Sequence, residues 1–198
     1  HPITILAALK VYEQGHGERG KLTWTPSKRV INALDEAFYG TFGNVTPTGK
    51  RIRLALDVSV SMSAPVNGMP YLSAYQAEAA VALVIMATEP NADVVAYSHQ
   101  MVPLTIRPSM RLDEVLRIMQ GTSMGGGTHC SLPIQDAIQS GAQIDCYVSM
   151  TDSETWNGAY RGGHGYANRW QGPSPQTVDE ALNEYRQRTG IPARNAVV

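Results

Sequence analysis

The chain has 198 residues, of which 43% are apolar and 17% charged, and its formal net charge is −1. This gives enough apolar side chains for a packed core and too little charge for a disordered chain. No apolar run approaches the ~20 residues of a spanning helix, and a balance so near neutrality excludes a uniformly basic nucleic-acid binder.

The first fifty residues read as two helices. His1-Pro2 opens one, with Pro2 suited to a first turn, and Ile5, Leu6, Leu9 and Tyr12 recur at helical spacing until Gly15. After the turn-rich segment Gly15 to Gly20, Thr25-Pro26 opens a second helix with Val30, Ile31, Leu34, Phe38 and Phe42 on one face. Two helices cannot bury that face by themselves, so it must pack on something further or on the rest of the chain. Residues 1–53 hold eight Lys/Arg against four acids, a net +4, whereas residues 54–198 hold eight Arg against thirteen acids, a net −5. Such asymmetry suggests two pieces of different origin. A modest basic surface carrying His16, Arg19, Lys21, Lys28 and Arg29 is the candidate contact for phosphate, beside the ordinary reading of a solvated helix face.

Beyond Pro47-Thr48-Gly49 the pattern changes to strands alternating with helices. Strands are expected at Ile52–Val58, Asp93–Tyr97, Met101–Ile106, Asp145–Met150 and Ala193–Val198. Helices are expected at Pro70–Thr88, Arg111–Gln120, Ser131–Ser140 and Thr177–Arg188. The alternation predicts an α/β fold with a doubly wound, mainly parallel sheet, preceded by the two short helices. In such sheets ligands bind beyond the carboxyl ends of the strands.

At those ends sit the residues of chemical interest. Asp57-Val58-Ser59-Val60-Ser61 places an acid and two hydroxyls at alternate positions, on one side if the chain stays extended. Thr128 closes the glycine run Gly125-Gly126-Gly127, and Asp152 follows a later buried strand. Three loops with short, hard oxygen donors at one sheet edge suit Mg²⁺, or Mn²⁺, in octahedral coordination completed by water. Two cysteines, Cys130 and Cys146, have neither disulfide-framework nor zinc-finger spacing and read as small buried residues. A reducing, cytoplasmic compartment is expected.

Asp57-Val-Ser59-Val-Ser61 with Thr128 and Asp152 resembles the metal-ion-dependent adhesion site of von Willebrand factor A domains. The segments from His1 to Gly20, Trp24-Thr25-Pro26, Ala33 to Tyr39, Pro47 to Arg51 and Cys130-Ser131-Leu132-Pro133 resemble the Ro autoantigen family of RNA-binding proteins, so the likeness covers nearly the whole chain. It implies that residues 1–50 are the last helices of a TROVE-type ring of helical repeats. It implies that residues 51–198 are a C-terminally incomplete A domain; His1 in place of Met and the apolar end Asn195 to Val198 fit a piece of a longer protein. It implies Ser59, Ser61 and Thr128 as direct metal ligands, with Asp57 and Asp152 acting through water. It also implies a binding role without catalysis: a noncoding, Y-type RNA held by the parent protein in small-RNA quality control, a protein partner offering a carboxylate to the metal, and no membrane. The alternative is a metal-dependent adhesion module with no RNA role.

Rival motifs lack their context. Gly121-Thr122-Ser123-Met124-Gly125 has the spacing of a nucleophile elbow but follows a helix where a strand is required. The glycine run lacks the lysine of a phosphate-binding loop. Asp57 lacks the second carboxylate of an aspartyl phosphatase, leaving Glu154 the one acid nearby for a hydrolytic base. Trp156 and Trp170 in the Gly-rich loop at 153–175 read as core covers before base-stacking platforms.

Overall fold

The structure is a computed structural model and describes residues 1–122, 127–152 and 176–198. It opens with α1 (Pro2–Glu13) and α2 (Lys28–Gly40), closed by a 3-10 turn at Thr41–Asn44. There follow β1 (Ile52–Asp57), β2 (Pro65–Val66), β3 (Met69–Ser73), α3 (Ala74–Thr88), β4 (Ala92–Tyr97) and β5 (Met101–Val102). The chain continues through α4 (Leu112–Gly121), α5 (Leu132–Ser140), β6 (Cys146–Met150), α6 (Val178–Thr189) and β7 (Arg194–Val197).

The main sheet has the order β5-β4-β1-β6-β7. Every pairing in it is parallel except the edge pairing of β5 to β4. β1 lies at the centre, and all six of its residues are buried, as a strand covered on both faces requires. Leu54 and Leu56 join the core under α3 and α4. Ala55 meets Tyr97 and Cys130 on the other face, where α5 and α6 close a second core around Ile134, Tyr147 and Tyr185. This is the expected α/β, mainly parallel architecture.

The leading helices share the first of these cores. Leu6, Leu9 and Phe38 are buried among side chains of β1 and α3, so the second piece of the chain takes up much of the apolar face that two helices cannot bury. Gly15 turns the chain at φ +77°, where a Cβ would stand 2.9 Å from the Trp24 carbonyl oxygen. Trp24 Nε1 donates to the Tyr12 carbonyl at 2.9 Å. The start of α4 is tied to α2: Arg111 pairs with Asp35 and lies 4.2 Å over the Tyr39 ring, and the Leu112 N–H donates to the Tyr39 hydroxyl at 2.8 Å.

Two expected elements change. Pro70–Ser73 belongs to a β2–β3 hairpin rather than to the following helix. The helix starts at Ala74 because Ser73 and Gln76 form a reciprocal capping box, a signal present in the sequence as Ser-x-x-Gln. The strand from Met101 ends at Val102, since Pro103 has no N–H to give to a ladder. Ser123 to Gly126, Glu154, Arg161, His164, Arg169 and both loop tryptophans, Trp156 and Trp170, lie outside the described residues. No helix among the described residues is long and apolar enough to cross a membrane.

Candidate metal centre

From β1 the chain crosses over to β4 on one side, and later returns to β6 on the other. The carboxyl ends of β1 and β6 therefore flank the switch point, where diverging loops open a crevice. β1 delivers Asp57 there, and β6 delivers Thr151 and Asp152. Asp57 is fully buried. Its Oδ1 accepts the Ser59 N–H at 2.8 Å. Its Oδ2 accepts the hydroxyls of Thr151 at 2.9 Å and Thr128 at 3.3 Å. The Thr128 loop is fastened to the end of β4: the His129 N–H donates to the Ser98 carbonyl at 2.8 Å, and Ser98 Oγ donates to the Gly127 carbonyl at 3.0 Å. Gly127 sits at φ +106°, a region that excludes most side chains.

Ser59 and Ser61 do come together, but not along an extended chain. Extended spacing would separate them by ~7 Å, whereas their Oγ atoms are 2.9 Å apart. A 3-10 turn at Val60–Ser63 brings Ser61 back, anchored by buried Met62. Tyr75 holds the loop from α3, its hydroxyl donating to the Ser59 carbonyl at 2.7 Å.

Sequence reasoning missed Glu78. It is the one charged residue in the fifteen-residue helix α3, and a lone charge in a buried apolar helix is the signal that could have found it. Its Oε1 accepts the Asp57 N–H at 2.7 Å, while Oε2 has no partner among the described residues. Burial pushes the Glu78 carboxyl well above the usual carboxylate range, and the charges of Asp57 and Asp152 add to this. Burial also raises Asp57, partly offset by its bonds to Ser59 and Thr151.

These shifts set a pH dependence. A carboxyl raised in the folded state takes up its proton before the unfolded chain does. Without metal, the contribution of Glu78 and Asp57 to stability should rise as pH falls from neutral through the raised values, levelling near pH ~4, where unfolded carboxyls also protonate; below pH ~6.5 it is opposed by His129, which burial holds below the usual imidazole range. Each unit of upward shift corresponds to ~1.4 kcal/mol. Melting curves of the wild type and Glu78→Gln between pH 4.5 and 8 check this. Gln keeps the acceptor for the Asp57 N–H and should flatten the rise; an unchanged slope would remove Glu78 as its source.

The donor set can be tested against a cation. Among the described residues no cluster of three His, Cys, Asp or Glu could hold a metal. The convergent atoms are instead hydroxyls of Ser59, Ser61 and Thr128 around the Asp57 carboxylate, with Asp152 close enough to act on it electrostatically. Such hard donors suit Mg²⁺ or Mn²⁺ and not a soft metal. The 2.9 Å between the two serine hydroxyls matches the edge of an octahedron with ~2.1 Å bonds. The residues fit a partly hydrated Mg²⁺.

The candidate RNA contacts lie elsewhere. His16, Arg19 and Lys21 are exposed on the loop after α1, and Lys28 and Arg29 are exposed on the first turn of α2.

Residues 51–164 match the family model of the Ro60 vWA domain. "RNA-binding protein RO60" of Deinococcus radiodurans is 45% identical over 159 residues, which are 80% of this chain and 30% of that protein. The protein of the same name from Caenorhabditis elegans is 33% identical over all 198 residues and 28% of its own length. The crystal structure of the Deinococcus radiodurans RO (RSR) protein superposes with a TM-score of 0.83 at 39% identity, covering 100% of this chain and 36% of that one. The chain thus spans under a third of the curated relatives it matches.

Proposed function

Since the chain belongs to the Ro60 vWA-domain family, we propose that it is the metal-binding A-domain portion of a Ro-type RNA-binding protein. In this reading residues 1–50 are the last helices of a TROVE-type ring and residues 51–198 the A domain. The parent protein holds noncoding, Y-type RNA in cytoplasmic small-RNA quality control, and this portion binds without catalysing. The observation that carries the reading is the convergence of Ser59, Ser61, Thr128 and Asp57 at the switch point. Ser59, Ser61 and Thr128 would hold Mg²⁺ directly, with Asp57 and Asp152 behind them through water. Three neutral hydroxyls leave a bound cation's charge largely uncompensated. It would supply Lewis-acid attraction for a carboxylate from a protein partner.

The RNA arm is tested by titrating a fluorescein-labelled single-stranded RNA against the chain and against Arg19→Ala/Lys21→Ala/Lys28→Ala/Arg29→Ala. Deleting residues 1–46 would be a poor substitute, because it removes Leu6, Leu9 and Phe38 from the main core. The wild type should bind weakly at ~0.2 M salt. Loss of four cations should lower the salt slope by about 3, at ~0.7 per phosphate contact on a single strand. An unchanged slope would place the RNA contact outside this loop.

A further inference from the structure

At the opposite end of the sheet the strands begin, and there the charges reverse. The segment after residue 53 is acidic overall. Yet Arg186 and Arg194 of that segment join Lys50 from the basic leading one in lining a cleft of 690 Å³ against the starts of β6 and β7. Its single acid, Asp145, is already spoken for: Arg51 donates to it from the main chain at 2.9 Å and from the guanidinium at 3.0 and 2.5 Å. Those bonds hold the Asp145 carboxyl well below the usual carboxylate range, and Lys50 adds to the effect. Arg186 is fixed in place, Nε donating to the Ala193 carbonyl at 2.9 Å and an Nη to Asn183 at 3.3 Å. Lys50 and Arg194 are exposed, and neither has a side-chain hydrogen bond or ion pair among the described residues. Ile191 and Cys146 supply an apolar wall.

A concave site with three uncompensated cations, one braced and two free to swing, has the chemistry for an anion carrying several acceptor oxygens. We propose that this cleft, at the amino edge of the sheet and remote from the metal centre, binds a phosphate group. The site does not depend on the metal reading, and it shares with the RNA reading only the probe used. Arg186 and Arg194 would approach the phosphate oxygens as planar forks, with Lys50 as a point charge at the rim.

The test compares the whole 198-residue chain with Lys50→Ala/Arg194→Ala. Arg186 is left in place because it braces the turn before β7. Both altered residues are exposed, so the melting temperature should stay within a degree or two. Two probes are used: a fluorescein-labelled single-stranded RNA at 50 and 200 mM salt, and inorganic phosphate. The second is followed by protection from alkylation of Cys146, which lines the cleft. If the phosphate belongs to RNA, the variant should bind RNA about tenfold more weakly at 50 mM salt and lose about 1.4 from the salt slope. If a free phosphate compound is the ligand, inorganic phosphate should slow alkylation in the wild type and not in the variant, with RNA binding unchanged. A folded variant that matches the wild type with both probes overturns the proposal. RNA binding that falls only with the Arg19/Lys21/Lys28/Arg29 substitutions, with no phosphate protection, would overturn the cleft while leaving the RNA reading intact.

Discussion

The Leu54→Ala variant should unfold about 5–15 °C below the wild type. Leu54 lies in the middle of the central strand, registered between Val94 on β4 and Val148 on β6. It is completely buried in the main core with Leu56, Leu83 and Met119. Truncation removes three carbons from water-free packing and leaves a cavity that strands fixed on both sides cannot close. Such changes destabilise by ~2–5 kcal/mol, and a domain of this size shifts by ~2–4 °C per kcal/mol. Because α1 and α2 bury Leu6, Leu9 and Phe38 in the same core, they should melt in the same transition. Circular dichroism measures the midpoint. A separate early loss of helix, with the sheet unaffected, would show that the leading helices are an independent unit.

Mg²⁺ at a hundredfold excess over its dissociation constant should stabilise the folded chain by ~2.7 kcal/mol, or a rise of ~5–10 °C at this chain length. Asp57→Asn should abolish that rise while the protein stays folded. Asn retains Oδ1 for the Ser59 N–H, and the hydroxyls of Thr151 and Thr128, which now donate to Oδ2, can rotate to accept from the amide. Asp57→Ala is a less clean probe. It strands all three donors in a buried site, at ~1–3 kcal/mol each, and so mixes loss of fold with loss of metal. Thermal melts with and without Mg²⁺ separate the two effects. Should Asp57→Asn keep the full Mg²⁺ rise, Asp57 does not serve the metal.

The sheet was legible in the sequence because short, largely apolar segments alternate with longer helical patterns. Ile52 to Leu56 is apolar but for Arg53, too short for a helix and typical of a strand covered on both faces, and a strand–helix alternation admits few topologies other than a parallel one. The chemistry-bearing positions were legible for a related reason. A polar residue at or just past the carboxyl end of such a segment, as Asp57 and Asp152 are, marks where the strand gives way to a loop. Local chain signals also fix the start of α3, where Ser73 and Gln76 cap it.

What the sequence could not show is whatever depends on residues far apart meeting. Alternation suggested that Ser59 and Ser61 share the side of an extended chain; a 3-10 turn instead brings their hydroxyls within 2.9 Å. The turn is chosen by burial of Met62 and by Tyr75 reaching over from α3. Glu78 gives no periodic signal. Its role appears only when helix packing places its carboxyl against the Asp57 N–H. The gathering of Lys50 with Arg186 and Arg194 in one cleft is invisible along the chain, where Lys50 lies more than 130 residues from the two arginines and these belong to a segment whose net charge is −5. Hydropathy is a property of each residue and its near neighbours, and so it can be read along the chain. Hydrogen-bond partners and electrostatic fields are set by distances through space, and those are decided only once the sheet has closed and the helices have docked on it.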